Sequence, residues 1–376
     1  MIKVIIINRL ASIFQIDTQQ DLFRLLSIRF ASAIALFALL GQANIWLSPS
    51  SNVLLAVGYR ALLVLVPVLL FWFQRQTLTV CVFLSMTGIV VLWSAEHIYV
   101  EWLGILSFSI GISILGYLTK TQAAVTEEGA GLNKIMLNVG SLVAGAVLML
   151  NFEHQSAFYV SMVILLLSIL PVAWRLEVDR ASSSDKRLQG ILHIEQKPIW
   201  VLAGLITGIK LFAVFSILPQ YLINTLGELP RWYGALIIAN GLLLTVFQLP
   251  VTRLIKWLSV SNTFSYMTLL FVGMFTLAVP QWFEAHTLWG ALVWVAVLSL
   301  SECALSFIDH AAKKADGLLL KELFVGFGAG YAVLCMRAIP EQFNAFIIAG
   351  SGVLMLCTWA LLIHRRNTLE EAKCQK

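Results

Sequence analysis

Charged residues are scarce in this sequence: Asp, Glu, Lys and Arg together make up only 12% of its 376 residues. Soluble domains carry about 25% charged residues, so a water-soluble fold of this size would have too few charges to cover its surface. Hydrophobic residues, in contrast, make up 59% of the chain. This composition excludes a soluble globular protein and predicts an integral membrane protein.

Patterns typical of catalytic, metal or nucleotide sites are also missing. The 5 cysteines show no CxxC or Cys/His spacing, so neither a metal site nor a disulfide framework is predicted. There is no phosphate-binding GxxxxGKS/T segment, so ATP is not the expected energy source. No Ser/His/Asp arrangement is visible, and the 6 histidines are scattered. The sequence therefore predicts no enzymatic activity and no cofactor.

Long apolar runs are what the chain has in abundance. A membrane-spanning helix needs about 20 mostly apolar residues, and twelve segments qualify. They are 28–48, 52–73, 77–95, 98–118, 133–151, 156–175, 199–225, 233–257, 261–281, 287–308, 320–340 and 342–364. The longest link between them is polar, Ser-rich and charged. We therefore predict an N-terminal six-helix bundle over 1–176, a cytoplasmic linker over 177–198 and a C-terminal six-helix bundle over 199–376.

Lys and Arg are unevenly distributed over the loops between these spans. Most of the 25 Lys and Arg residues lie in every second loop and at the termini, whereas the opposite side carries only Arg231 and Arg337. Because basic loops stay in the cytoplasm, this bias predicts that both termini are cytoplasmic. The net charge of +5 is then a topology signal. No contiguous basic face is visible that would predict a nucleic-acid partner.

Several stretches are similar to the drug-exporter-type members of the major facilitator superfamily. Leu218–Gly227 and Tyr233–Pro250 resemble their helices 7 and 8, and Ser301-Glu302 resembles the end of their helix 10. Gly116–Gly145 resembles their link from helix 4 into helix 5. The resemblance covers roughly residues 28–365. It is weaker in the first half, because the family's Gly- and Asp/Arg-containing loop between helices 2 and 3 is not recognisable.

The resemblance implies an all-α polytopic membrane protein with twelve transmembrane helices in two six-helix pseudo-symmetric bundles. It also implies a monomer in a bacterial inner membrane. The family's central cavity is lined by helices 1, 2, 4, 5, 7, 8, 10 and 11. Substrate would reach that cavity from alternate sides as the two bundles rock.

Three charged residues, Arg60, Lys210 and Glu302, fall inside predicted spans, on helices 2, 7 and 10. An ionisable group deep in a bilayer is costly, so it normally faces protein or water and has a function. We predict that Lys210 and Arg60 contact an anionic substrate. We predict that Glu302 exchanges protons as the cavity opens and closes.

Each of these charges also has a structural interpretation. Lys210 and Glu302 would then form fixed ion pairs, or Lys210 would extend toward the membrane surface. Arg60 would reach Glu96 or Glu101 near the outer surface. These alternatives stay open from the sequence alone.

Two further carboxylates, Asp309 and Glu322, lie at helix ends. Lysines follow or precede them closely in the chain, so we predict interfacial ion pairs rather than coupling groups. Those lysines are Lys313, Lys314 and Lys321.

Neutral polar residues on the predicted cavity helices are candidates for hydrogen bonds to a substrate. They are Gln42 on helix 1, Asn138 on helix 5, and Asn240 and Gln248 on helix 8. Such residues also tie helices together, so each has a structural alternative.

Together these features predict a secondary transporter that exports a small anionic metabolite, for example a carboxylate siderophore, with protons as the coupling ion. One alternative is a broad multidrug exporter in which the cations are structural. A second alternative is a membrane-embedded signalling or assembly protein that transports nothing. The short loops leave little surface for such a partner.

Overall fold

The computed structural model describes residues 19–73, 76–123, 127–150, 155–176, 197–257, 262–278 and 280–374. Within these ranges the chain forms helices and no strand. Twelve helical segments follow one another, and we number them α1 to α12 in chain order. They are α1 (Gln19–Trp46), α2 (Pro49–Phe73), α3 (Thr77–Trp93), α4 (Ile98–Ala123), α5 (Glu127–Met149), α6 (Gln155–Arg175), α7 (Lys197–Leu226), α8 (Tyr233–Trp257), α9 (Asn262–Leu277), α10 (Leu288–Lys314), α11 (Leu318–Ala338) and α12 (Glu341–Cys374).

Each predicted span corresponds to one of these helices, which confirms the all-α polytopic prediction. The ends differ most at α12, which continues to Cys374 instead of ending at 364, and at α1, which begins at Gln19 instead of 28. A span predicted from hydropathy ends where polar residues begin. Helical hydrogen bonds continue through polar residues once the chain has left the hydrocarbon.

The outer face of the bundle is apolar. Ten of the described helices are long and apolar enough to cross a membrane, and Thr77–Trp93 and Tyr266–Leu277 are shorter apolar helices. Large side chains such as Phe71, Trp72 and Leu361 are exposed on that face. So much exposed hydrocarbon needs a lipid environment. The chain is a multi-pass membrane protein.

Two prolines interrupt helices that would otherwise be continuous. Pro67 follows a 3-10 turn at Leu62–Leu65 in α2, and Pro219 follows a π turn at Ala213–Ile217 in α7. Proline lacks an N–H group and its ring clashes with the carbonyl four residues earlier, so the preceding turn must change its hydrogen bonding. In α7 the altered turn is thus a π turn. α10 is also interrupted, between Glu302 and Leu305.

The helix pairs repeat with an offset of six. In the N-terminal half, α1–α6, α1 packs on α5, α2 on α4, and α3 on both α4 and α6. In the C-terminal half, α7–α12, the corresponding pairs are α7 with α11, α8 with α10, and α9 with both α10 and α12. The two halves are thus pseudo-symmetric. Residues 177–196 of the predicted linker lie outside the described part of the chain, so its boundaries stay a prediction.

The halves touch along two main helix pairs, α5 with α8 and α2 with α11. We call the end of the bundle where α1 begins and α12 ends the basic end. Far from it, Gly145 and Gly234 bring α5 and α8 together: a Cβ on either would lie 2.8 Å from the other's carbonyl oxygen. Toward the basic end, a Cβ added at Gly131 of α5 would lie 3.2 Å from the side chain of Leu249 of α8. The halves are therefore in contact at both ends of this pair.

Candidate functional site

A small cavity lies between the two halves. Its free space is about 20 Å³, which is room for roughly one water molecule. The described residues that line it come from both halves. They are Arg29, Phe37, Tyr59, Arg60, Lys120, Asn133, Lys134, Leu137, Thr207, Leu211, Phe212 and Asp309. This conformation is closed around the cavity, because no small organic molecule fits in that volume.

Aromatic side chains form one wall of the cavity and join the halves there. Phe37 of α1 stacks on Phe215 of α7 with ring centroids 4.9 Å apart. Tyr59 of α2 lies 5.8 Å from Phe212 of α7, also between ring centroids. This wall supplies apolar contact without fixed charge.

Another part of the lining is charged and belongs to a buried ion cluster, which we define as Arg60, Lys120, Asp309, Lys321 and Glu322. The Lys120 Nζ atom of α4 lies 2.8 Å from a carboxylate oxygen of both Asp309 and Glu322. The Arg60 Nε atom of α2 lies 3.4 Å from Glu322 Oε2. Lys321, beside Glu322 on α11, donates to Glu322 at 2.9 Å and also bonds Asp309. The cluster therefore links α2 and α4 of one half to α10 and α11 of the other.

A second ion pair crosses between the halves near this cluster. The Lys134 Nζ atom of α5 lies 3.2 Å from Glu302 Oε1 of α10, and both side chains are buried. Glu302 ends the first part of α10, where the helix is interrupted. Both sets of contacts thus join α10 to the N-terminal half.

The interior holds more positive than negative charge. Among residues whose burial is described, the N-terminal half buries only cations, whereas the C-terminal half buries charges of both signs. The cations of the N-terminal half are Arg29, Arg60, Lys120 and Lys134; the buried charges of the C-terminal half are Lys210, Lys321, Glu302, Asp309 and Glu322. Six cations thus accompany three carboxylates. Buried charge is costly unless it is paired, so the surplus favours an anion as the cavity's ligand.

Of the two predicted cationic contacts, the structure brings Arg60 to the cavity. Arg60 also donates to the Tyr59 hydroxyl at 2.6 Å. Its carboxylate partner is Glu322 and not Glu96 or Glu101, as the structural alternative expected. Glu101 instead accepts a hydrogen bond from the Ser48 backbone N–H, at 3.0 Å.

Lys210, the other predicted cationic contact, is not among the described residues of α7 that line the cavity. Its ammonium group donates to the Ser301 hydroxyl on α10, and it lies against Gly273 of α9. Ser301 directly precedes Glu302, and Glu302 is among the charged groups that interact with Lys210. Lys210 is therefore buried inside the C-terminal half, next to the predicted coupling carboxylate.

The predicted neutral contacts also lie apart from the described lining of the cavity. Asn240 accepts a hydrogen bond from the Ser299 hydroxyl at 2.8 Å, and Gln248 donates to the Cys303 carbonyl at 2.9 Å. Both residues thus tie α8 to α10. Asn138 and Gln42 are buried, and the Asn138 Nδ2 atom has no hydrogen-bond partner among the described residues.

Little in the sequence distinguishes the other charged residues that line the cavity from loop residues. Lys120 follows its predicted span by two residues, and Arg29 and Lys134 lie at the very start of theirs, so all three counted as loop cations. Because α1 begins at Gln19, Arg29 lies about 15 Å along that helix. Asp309 does form an ion pair with Lys321, as predicted, but it also pairs with Lys120 of the other half. Arg29, Lys120 and Lys134 could have been recognised as interior residues only by expecting the helices to extend beyond their apolar residues.

The arrangement of helices is that of known transporters. The structure superposes on the nucleoside transporter NupG with a TM-score of 0.64 at 12% identity, covering 90% of this chain and 99% of that one. For a D-xylose–proton symporter the TM-score is 0.62 at 14% identity, with 89% and 95% covered. For a peptide transporter of the POT type it is 0.62 at 12% identity, with 91% and 94% covered. No protein-family model and no curated protein matches the sequence. The likeness establishes the major facilitator fold.

Proposed function

We propose that the protein is a secondary active transporter that moves a small anionic molecule across the membrane by alternating access. The observation that carries this proposal is the cavity between the halves. Among the described residues, Arg29, Arg60, Lys120 and Lys134 line it but only one carboxylate, Asp309, does. A transporter built on two rocking halves binds its substrate at their junction. The basic end faces the cytoplasm in this proposal, as the loop charges predict.

In this mechanism the ion pairs between the halves keep the basic end closed. Opening that end separates Lys120 from Asp309 and Glu322, and Lys134 from Glu302. Asp309 and Glu322 keep a partner, because Lys321 belongs to their own half. The N-terminal cations keep no carboxylate partner among the described residues, although Arg60 keeps its hydrogen bond to Tyr59. An anionic substrate stabilises the open form by binding those cations, which couples binding to opening.

Proton coupling follows from the position of Glu302. When Lys134 moves away, Glu302 is left with a proton from solution or with Lys210, which lies beside Ser301 in the same half. A carboxyl group that alternates between an ion pair and an open cavity can carry a proton in each cycle. We propose export as the direction, on the resemblance of the second half to drug exporters. A carboxylate siderophore remains an example of a suitable cargo. That a xylose transporter of this fold is named a proton symporter is compatible with coupling.

A broad exporter of cationic drugs is less compatible with this interior. A cationic drug in the cavity would meet Arg29, Arg60, Lys120 and Lys134, and only Asp309 would attract it. A non-transporting assembly protein would not require a cavity with surplus charge at the junction of two pseudo-symmetric halves.

The proposal is tested by uptake into inverted vesicles that contain the full chain. Labelled carboxylates should accumulate when the vesicle interior is acidified, and an uncoupler should abolish accumulation. The variant Lys134→Gln should lose most of this activity. Arg231→Gln, which removes an exposed arginine at the opposite end, should retain it. Accumulation of cationic dyes instead of any carboxylate would favour the multidrug alternative, and accumulation of neither would contradict transport.

A further inference from the structure

Two arginines that line the cavity, from neighbouring helices, converge on one glycine of α4. A Cβ atom at Gly116 of α4 would lie 2.8 Å from Arg29 Nη1 and 3.5 Å from Arg60 Nη1. Arg29 comes from α1 and Arg60 from α2, and both line the cavity. Two like charges in one buried place repel each other, so an arrangement of this kind normally has an anion to hold.

Arg29 is the unsatisfied member of this pair. Its side chain is buried, with 3% of the residue exposed, and its Nε atom donates to no acceptor in the described part of the chain. It also makes no ion pair with a described carboxylate, whereas Arg60 lies 3.4 Å from Glu322. The Arg60 Nε atom also lacks a hydrogen-bond acceptor among the described residues, but it has the Glu322 carboxylate nearby. A buried guanidinium N–H without an acceptor or a counterion is costly, because its desolvation is not repaid.

Because Gly116 has no side chain, the two guanidinium groups can approach the backbone of α4 closely. Other glycines of the bundle, such as Gly111 on the same helix, face the backbone of a neighbouring helix. At Gly116 the first groups met are side-chain nitrogens. One turn further along α4, Lys120 adds a third cation to the same wall. Planar guanidinium groups bind planar oxyanions through paired hydrogen bonds, which a single ammonium cannot do.

The carboxylates of the C-terminal half occupy part of this wall in the closed form. Glu322 lies against Arg60 and Lys120, and Glu302 lies against Lys134. When the halves separate, one monovalent anion cannot replace these groups and also satisfy Arg29. The N-terminal cations are spread over α1, α2, α4 and α5, so a ligand that reaches several of them needs several acidic groups.

We propose that Arg29 and Arg60, on either side of Gly116, bind one carboxylate or phosphate group of a substrate that carries at least two such groups. The remaining acidic groups bind Lys120 and Lys134 in place of Glu322 and Glu302. This inference rests on the proposed function and adds to it a substrate class, multivalent oxyanions, and a binding residue, Arg29.

Binding to the purified full-length chain tests the proposal without requiring transport. Citrate, inorganic pyrophosphate and acetate are titrated separately at constant ionic strength, and the dissociation constant of each is measured by calorimetry or thermal unfolding. Citrate or pyrophosphate should bind at least tenfold more tightly than acetate. The comparison of citrate with pyrophosphate tells which oxyanion the subsite prefers.

Two variants test the residues. Arg29→Gln should weaken binding of the preferred polyanion by about 10- to 100-fold, the loss expected for hydrogen bonds to charged groups. Gly116→Ala keeps every charge but fills the space, and the flexible end of Arg29 can move aside to accommodate the methyl group. It should weaken binding at least tenfold. The matched controls are Arg231→Gln and Gly350→Ala, a helical glycine with nothing within 4 Å of an added Cβ, and both should bind as the wild type does.

Three results would show that the inference is wrong. One is that acetate binds as tightly as the polyanions, and another is that neither polyanion binds. The third is that Gly116→Ala and a folded Arg29→Gln both bind within twofold of the wild type. If Arg29→Gln does not fold, Gly116→Ala alone decides. Arg29-dependent polyanion binding without transport in vesicles would overturn the proposed function and leave this site standing. Transport of a carboxylate that does not depend on Arg29 would overturn this site and leave the proposed function standing.

Discussion

The two halves share one arrangement of helices but bury different charges. In the N-terminal half the described buried charges are all cations: Arg29, Arg60, Lys120 and Lys134. In the C-terminal half the carboxylates Glu302, Asp309 and Glu322 accompany Lys210 and Lys321. Each carboxylate touches a cation of the other half. The C-terminal half therefore provides the counterions of the N-terminal half, and only while the halves are together at that point.

The pseudo-symmetry of the backbone therefore does not extend to the buried charges. The C-terminal half can neutralise much of its own charge when the halves part, because Lys321 bonds both Asp309 and Glu322. The N-terminal half has no such internal partner among its described residues. We therefore expect ligand binding to depend on the N-terminal half, and closure to depend on contacts between the two.

The largest expected effect is on the ion cluster. Glu322→Gln leaves Arg60, Lys120 and Lys321 with fewer counterions, and breaking a buried ion pair from one side costs about 3–5 kcal/mol. The free energy of unfolding in detergent should fall by roughly that amount. Glu341→Gln, which removes an exposed carboxylate at the start of α12, should leave it unchanged. Equal stability of both variants would contradict a cluster that holds the halves together.

The next effect is the coupling between Lys134 and Glu302. Lys134→Gln and Glu302→Gln should each destabilise the protein, because each leaves one buried charge unpaired. The double variant should be less destabilised than the sum of the two, with a coupling energy of about 0.5–3 kcal/mol. Thermal unfolding of all four proteins measures this difference. Simple additivity would mean that the 3.2 Å contact contributes nothing across the halves.

A smaller effect is expected within the C-terminal half. Gln248→Leu removes the hydrogen bonds to the Cys303 carbonyl and the Ser306 hydroxyl, at 2.9 and 3.0 Å, where α10 is interrupted. The Cys303 carbonyl and the Ser306 hydroxyl keep the hydrogen bond between them, at 3.1 Å. Losing the two hydrogen bonds of Gln248 should cost about 1–3 kcal/mol of stability. Citrate or pyrophosphate affinity should stay at the wild-type value. A loss of affinity without a loss of stability would return Gln248 to the list of substrate contacts.

The smallest expected effect is that of Lys210→Gln on ligand binding. Lys210 is as buried as Arg60 but bonds Ser301, inside its own half. Polyanion affinity should therefore change less than about twofold, as for substitutions away from the site, while proton-coupled uptake should fall. A tenfold loss of affinity would show that the C-terminal cations bind the ligand too, and the contrast between the halves would then fail.

Some charged residues could be assigned from the sequence because they interrupt apolar runs. Arg60, Lys210 and Glu302 were visible in this way. Arg29, Lys120 and Lys134 were not, since each lies at the edge of an apolar run, where a loop cation and a cavity cation have the same sequence context. The partner of Arg60 was also beyond reach, because Glu322 is distant in the chain and meets Arg60 only where α2 packs on α11.

The class of protein, the twelve spans and the uneven distribution of basic loops could be predicted from local composition, since a bilayer requires about 20 apolar residues in each helix. Which charges face each other depends instead on how the helices pack. Helix rotation and the pairing of α2 with α11 and α5 with α8 set the partners of Arg60 and Lys134, and neither is encoded in any single segment. That is why Lys210 turned out to lie beside Ser301, and why Arg29 and Arg60 converge on Gly116.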